Sequence, residues 1–213
     1  MSGSRNPGRA DGLRVQRDRL RIAQAAARLI AEHGLTDWTL AKRKAARQLL
    51  LPDTAPLPSN EQIEVALAGH HALFGGNAHA LALLAQRKEA LAWMRRLAAW
   101  EPLLVGGVAA GWATEHSEAR VELVADDPKA VEMALASAGV AYKALPPRDS
   151  DDTAAQLRID SPRVAVRLAI LTPQQRRNRP RRSEEPRLTA DAVAALIAGA
   201  ERGDGAERDD GSA

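Results

Sequence analysis

The residues best suited to chemistry in this chain of 213 residues lie between positions 103 and 171. Gly106 and Gly107 follow an apolar run, and Glu118, Arg120 and Glu122 recur at every second position of a later one. Side chains alternate along a strand, so these three face one way while Ala119, Val121 and Leu123 face the other. The same alternation sets Arg163 and Arg167 opposite Val164, Val166, Leu168 and Ile170. Arginine binds phosphate through two parallel hydrogen bonds, and backbone N–H groups framed by glycine can cradle an anion. The plainer expectation is that the charged residues form the solvated face of a sheet. Opposite charges on facing strands would then pair for about 0.2–1 kcal/mol each.

A second basic group is Lys42-Arg43-Lys44, with a third run from Arg176 to Arg182. Together they could form a nucleic-acid footprint directed at phosphates. Each neutralised phosphate would steepen the log–log salt dependence by about 0.9 on duplex DNA. The alternative is a solvated helix face and an arginine-rich linker. Histidine offers little: His70 and His71 are adjacent, point in different directions on a helix, and make a poor metal pair. His79 and His116 stand far off in sequence, so no metal site is expected. Ser117 beside His116 lacks the strand–turn–helix setting of a nucleophile elbow. There is no cysteine, hence no disulfide and no thiolate metal site, which suits a cytoplasmic protein. No apolar run approaches the roughly 20 residues that span a bilayer, and the basic N-terminus has no apolar core of a signal peptide. No membrane partner is expected, and the oligomeric state is open.

The elements that would position these residues can be read in order. Leu13–His33 has helical apolar spacing and stops at Gly34; Thr36 or Asp37 can cap a second helix from Trp38 to Leu50. Ser59 and Gln62 form a capping box for a third helix to about Leu73. A fourth runs from Ala78 to Trp100, placing Trp93 and Trp100 on one face for packing. Pro102 ends it. From there the pattern changes to strands at Leu103–Val105, Ala119–Ala125 and Val140–Leu145. A helical turn is predicted at Val108–Trp112 and a helix at Pro128–Ala138, with Asp126 or Asp127 as its cap. A loop over 146–152 leads to a hairpin of Gln156–Asp160 and Arg163–Leu171. A short helix over Thr189–Ala198 precedes a polar tail. This is an α+β pattern with a mixed sheet.

The stretch LLVGGVAAGWATEHSEARVELVADD resembles the signature of the nucleotidyltransferase superfamily, polymerase-β type: an apolar strand, a glycine pair, a short helix, then a strand with two carboxylates one residue apart. The whole chain also resembles an uncharacterised bacterial family in which a helical part ending in an AKRKAA-type sequence precedes an HSDIE motif. Here that motif reads His116-Ser117-Glu118-Ala119-Arg120. Arg21–Ala46 is in addition similar to the opening of TetR-type helix-turn-helix domains, but LPDTAPLPSN follows where a recognition helix would stand.

The nucleotidyltransferase resemblance implies that Glu118 falls on the first metal carboxylate and Arg120 on the second. Arg167 falls on the third, in a later strand. A site with two of three ligands replaced by guanidinium groups should not hold the cations of a two-metal phosphoryl transfer. The expected organisation is a tail over 1–12 and a helical region over 13–101, packed on a nucleotidyltransferase-like α+β domain over 102–172. A basic linker, short helix and disordered tail fill 173–213. The expected function is a non-catalytic or weakly active protein in which Gly106, Gly107, Arg120 and Arg167 hold the phosphate of a nucleotide or nucleic acid without a cofactor. A nucleic-acid-binding regulator acting through the basic helical N-terminal region, with Lys42, Arg43 and Lys44 as its contact residues, is the second reading. The third is an active Mg-dependent nucleotidyltransferase using Glu118 and Glu122. Four residues along a strand separate those carboxylates by about 13 Å, too far for one ion to bridge.

Overall fold

The computed structural model describes residues 7–35, 37–146, 153–178 and 186–209. It divides into two compact units, Met1–His79 and Ala80–Ala213.

The first unit is helical: α1 (Pro7–His33), α2 (Trp38–Gln48) and α3 (Asn60–Phe74). α1 packs on both α2 and α3. Ile22, Ala23, Ala26, Leu29 and Ile30 of α1 are buried together with Ala41 and Ala45 of α2 and Ile63 and Leu67 of α3. The many alanines let the helix backbones approach closely. The ends are set by side-chain caps. Asp37 accepts from the N–H groups of Thr39 and Leu40 at 2.9 and 3.1 Å; Thr36, the other cap considered, lies outside the described residues. Ser59 and Gln62 form the expected reciprocal box. α1 starts at Pro7 rather than Leu13, so 7–12, expected as tail, are helical turns. A proline in the first turn has a preset φ and no N–H to leave unsatisfied. Residues 1–6 lie outside the described residues.

α4 (Gly76–Arg96) leads into the second unit and is followed by a 3-10 turn at Ala98–Trp100. Trp100 therefore leaves the helix that carries Trp93. The strands are β1 (Leu103–Val105), β2 (Ala119–Val124), β3 (Lys143–Leu145), β4 (Ala155–Ile159) and β5 (Val166–Leu171). The helices here are α5 (Gly107–Ala110), α6 (Pro128–Ser137), α7 (Pro173–Asn178) and α8 (Ala190–Asp209). The sheet order is β1-β2-β5-β4-β3. β2 and β5 run parallel, and the other pairs are antiparallel, so the sheet is mixed and the chain α+β.

One sheet face is apolar. Val121, Leu123, Leu157, Leu168 and Ile170 are almost wholly buried there, in one cluster with Met94 of α4, Val131 and Leu135 of α6 and Val193 of α8. α6 opens on Asp127, which accepts from the Lys129 N–H at 2.9 Å, with Pro128 in its first turn. The loop read over 146–152 lies outside the described residues from 147 on. Two readings of the C-terminal part are corrected. Pro173–Asn178 is helical rather than linker, with the Thr172 hydroxyl accepting from the Gln175 N–H at 3.1 Å. α8 continues to Asp209, past Gly199, where a polar tail was expected. Glycine costs a helix about 1 kcal/mol per residue, and part of that cost is offset where Glu201 pairs with Lys88 at 2.7 Å. No helix among the described residues is long and apolar enough to cross a membrane.

Candidate functional site

The other sheet face carries the charged residues. Register places Arg120, Arg167, Arg158 and Lys143 in one row across β2, β5, β4 and β3. Residues paired across neighbouring strands project from the same face, with strands about 4.8 Å apart. Four cations thus stand side by side. The next row is Glu122, Ala169, Gln156 and Leu145, and it is covered: Glu122 is 6% and Gln156 3% exposed. Leu171 beyond it is fully buried. The charged face is therefore open at the Arg120 end and closed at the Glu122 end. This corrects the expectation of one solvated face running from Glu118 to Glu122. Arg187 reaches Glu122 at 3.9 Å, and Leu188 bridges Leu104 at the β1 edge. Arg163 lies exposed in the β4–β5 connection, off the strand.

Glu118, just before β2, is clamped by two guanidinium groups. Arg158 donates to Oε1 at 2.8 Å, and Arg167 reaches Oε2 from Nε at 2.7 Å and Nη2 at 2.6 Å. Arg158 also pairs with Asp160 at 2.9 Å, which Lys143 meets at the same distance. The Asp160 carboxyl is held below its usual range, first by the Lys143 hydrogen bond. A carboxylate engaged in this way is a poor metal ligand. Among the described residues no group of three or more histidines and acids could hold a metal ion.

Arg120 differs from its neighbours in the row. It has no ion-pair or hydrogen-bond partner among the described residues, and its side chain is half-buried. Its stem lies against the glycine pair: a Cβ at Gly106 would meet Arg120 Cδ at 3.4 Å. Gly106 itself has φ 70 and ψ −155, a conformation open essentially to glycine alone. Gly107 has another reason to be glycine, since a Cβ there would enter the Trp112 ring at 2.7 Å. Gly106, Gly107, Arg120 and Arg167 are thus brought to one end of the sheet face.

Side chains to which the sequence reading gave no part in the site hold this corner in place. Gln86 of α4, buried, donates to the Thr114 carbonyl at 2.7 Å, and Ser117 Oγ accepts from the Thr114 N–H at 2.9 Å, fixing the turn that delivers Glu118. Arg87 donates to the Val108 carbonyl at 3.2 Å, closing the end of α5; burial pushes its guanidinium below the ordinary value. Ser161 bonds Glu89, and Trp93 Nε1 donates to Ser161 at 3.1 Å, tying α4 to the β4–β5 connection. Arg158, the second arginine on Glu118, was also missed. Its alternation with Gln156 placed it on this face, but nothing local linked it to position 118.

The basic group of α2 separates. Lys42 is buried and donates to Asn60 Oδ1 at 2.7 Å, and burial lowers its pKa despite nearby Glu61. Arg43 and Lys44 remain exposed. Lys42 is turned toward α3 and cannot share their surface, which corrects its place in a nucleic-acid footprint. Arg176 is likewise engaged, pairing with Glu101 at 3.2 Å; 179–182 lie outside the described residues. His70 and His71 do not converge on one point. His71 instead stacks on His79, centroids 3.8 Å apart and planes within 6°.

No protein-family model, curated protein or solved structure matches the chain.

Proposed function

We propose that the chain is a non-catalytic protein of nucleotidyltransferase-like fold that binds the phosphate of a nucleotide or nucleic acid without metal, at Arg120 beside Gly106 and Gly107. The observation that carries this reading is the half-buried Arg120 guanidinium, without a partner among the described residues and set directly across from Arg167. Like charges facing each other across strands are destabilising. Glu118 relieves the repulsion for Arg167 and Arg158 but not for Arg120. Among the described residues the row of Arg120, Arg167, Arg158 and Lys143 is answered by Glu118 and Asp160 alone. A phosphate at Arg120 would supply the missing negative charge, and guanidinium–phosphate pairing supplies the geometry. Catalysis is disfavoured because Glu118 is committed to two arginines and Glu122 lies in the covered row near Arg187.

The test is thermal stability of the purified protein against the four nucleoside triphosphates, with and without Mg²⁺. A ligand at a hundred times its dissociation constant stabilises by about 2.7 kcal/mol. Stabilisation without Mg²⁺ that vanishes in Arg120→Ala is expected. Stabilisation only with Mg²⁺ would revive the active-enzyme alternative. No shift with any nucleotide or with inorganic phosphate would leave the sheet face as a structural ion network.

A further inference from the structure

We infer that the outward ridge of α1 is a binding surface for the phosphate backbone of double-stranded nucleic acid, separate from the Arg120 corner and from Lys42-Arg43-Lys44. Arg14, Arg17, Arg21 and Arg28 recur at intervals of 3, 4 and 7 residues. At 3.6 residues per turn this places them in one stripe, opposite the buried Ile22, Ala23, Ala26 and Ile30. All four arginines are exposed. At 1.5 Å per residue the stripe is about 21 Å long. A duplex presents about one negative charge per 1.7 Å of axis, so a straight ridge of that length can meet several phosphates at once.

Three observations set this stripe apart from an ordinary solvated helix face. Residues 12–17 and 19–21 are exposed on every side, so this part of α1 stands clear of its own unit. Arg14 and Arg17 have no partner among the described residues; Arg21 has only Asp18 at 3.8 Å, and Arg28 only Glu32 at 3.2 Å. The cations of the stripe are also all arginine, the side chain that grips phosphate through two parallel bonds. An anionic membrane fits less well. The exposed apolar residues Leu13, Val15 and Leu20 do not form one continuous face, because Gly12, Gln16 and Arg19 fall between them on the helical wheel.

The test is fluorescence anisotropy of the full-length chain with a labelled duplex of mixed sequence, over a series of salt concentrations. Wild type is compared with Arg14→Gln/Arg17→Gln/Arg21→Gln. The wild-type protein should bind with a steep salt dependence. The triple variant should lose tenfold or more in affinity at low salt. Its log–log slope should fall by about 2.7, or 0.9 for each phosphate no longer neutralised. Helical content by circular dichroism should be unchanged, since the three residues are exposed. The inference is overturned if wild type does not bind the duplex. It is also overturned if the variant binds with the same slope, or if Arg43→Gln/Lys44→Gln abolishes binding while the ridge variant keeps it. Co-sedimentation with anionic phosphatidylserine vesicles, without duplex binding, would assign the ridge to a membrane and overturn it too. Because the readout needs no nucleotide, a failed nucleotide screen and a failed ridge are distinguishable.

Discussion

The two units handle positive charge in opposite ways. In the helical unit Arg14, Arg17, Arg21 and Arg28 of α1 stand outward, the first two without a partner among the described residues, around an interior built from alanine and a few branched residues. In the sheet unit Arg158 and Arg167 stand side by side on neighbouring strands, both locked onto Glu118 and Arg158 also onto Asp160, while Arg120 in the same row has no partner among the described residues. The contrast teaches that the number of basic residues says little about binding. What matters is whether each guanidinium is already answered from within. Paired arginines position strands, and unanswered ones are available to a ligand.

The sharpest way to break this contrast is to remove the anion that the sheet arginines share. Glu118→Gln keeps the shape but leaves Arg158 and Arg167 facing each other without a counter-charge. Removing one partner of a fully buried pair costs about 3–5 kcal/mol. Glu118 and its partners keep partial solvent access, so about 1–3 kcal/mol is expected, read by urea denaturation. A loss below the error of that measurement would mean the network is ornamental. A smaller effect is expected in the helical unit at acid pH. Burial, followed by the charges of His79 and His70, lowers the His71 pKa from 6.5 to about 4. The unfolded chain then binds the proton first, so this contribution is present above pH 6.5 and lost as pH falls toward 4. His71→Phe should flatten the difference in stability between pH 7 and pH 4.5. An unchanged pH profile would show that the stacked ring is not the group responsible. The smallest effect is expected at the α1 ridge, where Arg14→Gln/Arg17→Gln/Arg21→Gln should change stability by no more than about 0.5 kcal/mol for each exposed site. A cooperative loss of helix instead would show that the ridge has structural partners after all.

Local signals were readable in the sequence and distant ones were not. The Ser59–Gln62 box, caps at 36–37 and 126–127 and strands starting at Leu103 and Ala119 follow from short-range spacing, and the last strand, read from Arg163, begins at Val166. They sufficed for the α+β class and for bringing Gly106, Gly107, Arg120 and Arg167 onto neighbouring elements. Lys42 misled because its partner, Asn60, lies on the next helix, beyond three prolines. Glu118 looked like a metal carboxylate because Arg158 and Arg167 are far along the chain, and only the parallel register of β2 with β5 reveals the clamp. Glu122 was placed with the solvated residues because alternation fixes which face a side chain takes, not whether that face is covered. The extension of α8 past Gly199 ran against glycine's low helix propensity, and its pairing with Lys88 is a long-range interaction.

The strand order also bears on how the protein comes into being. β5 is the last strand made, yet it lies in the middle of the sheet, between β2 and β4. Until Leu171 has left the ribosome, β1–β2 and β3–β4 exist only as two separate antiparallel pairs, each with a bare inner edge. Synthesis proceeds at about 5–20 residues per second, so the helical unit can close seconds before the sheet can. During that interval the open flanks of β2 and β4 are templates for strands of other chains, and β5 is the segment that seals them.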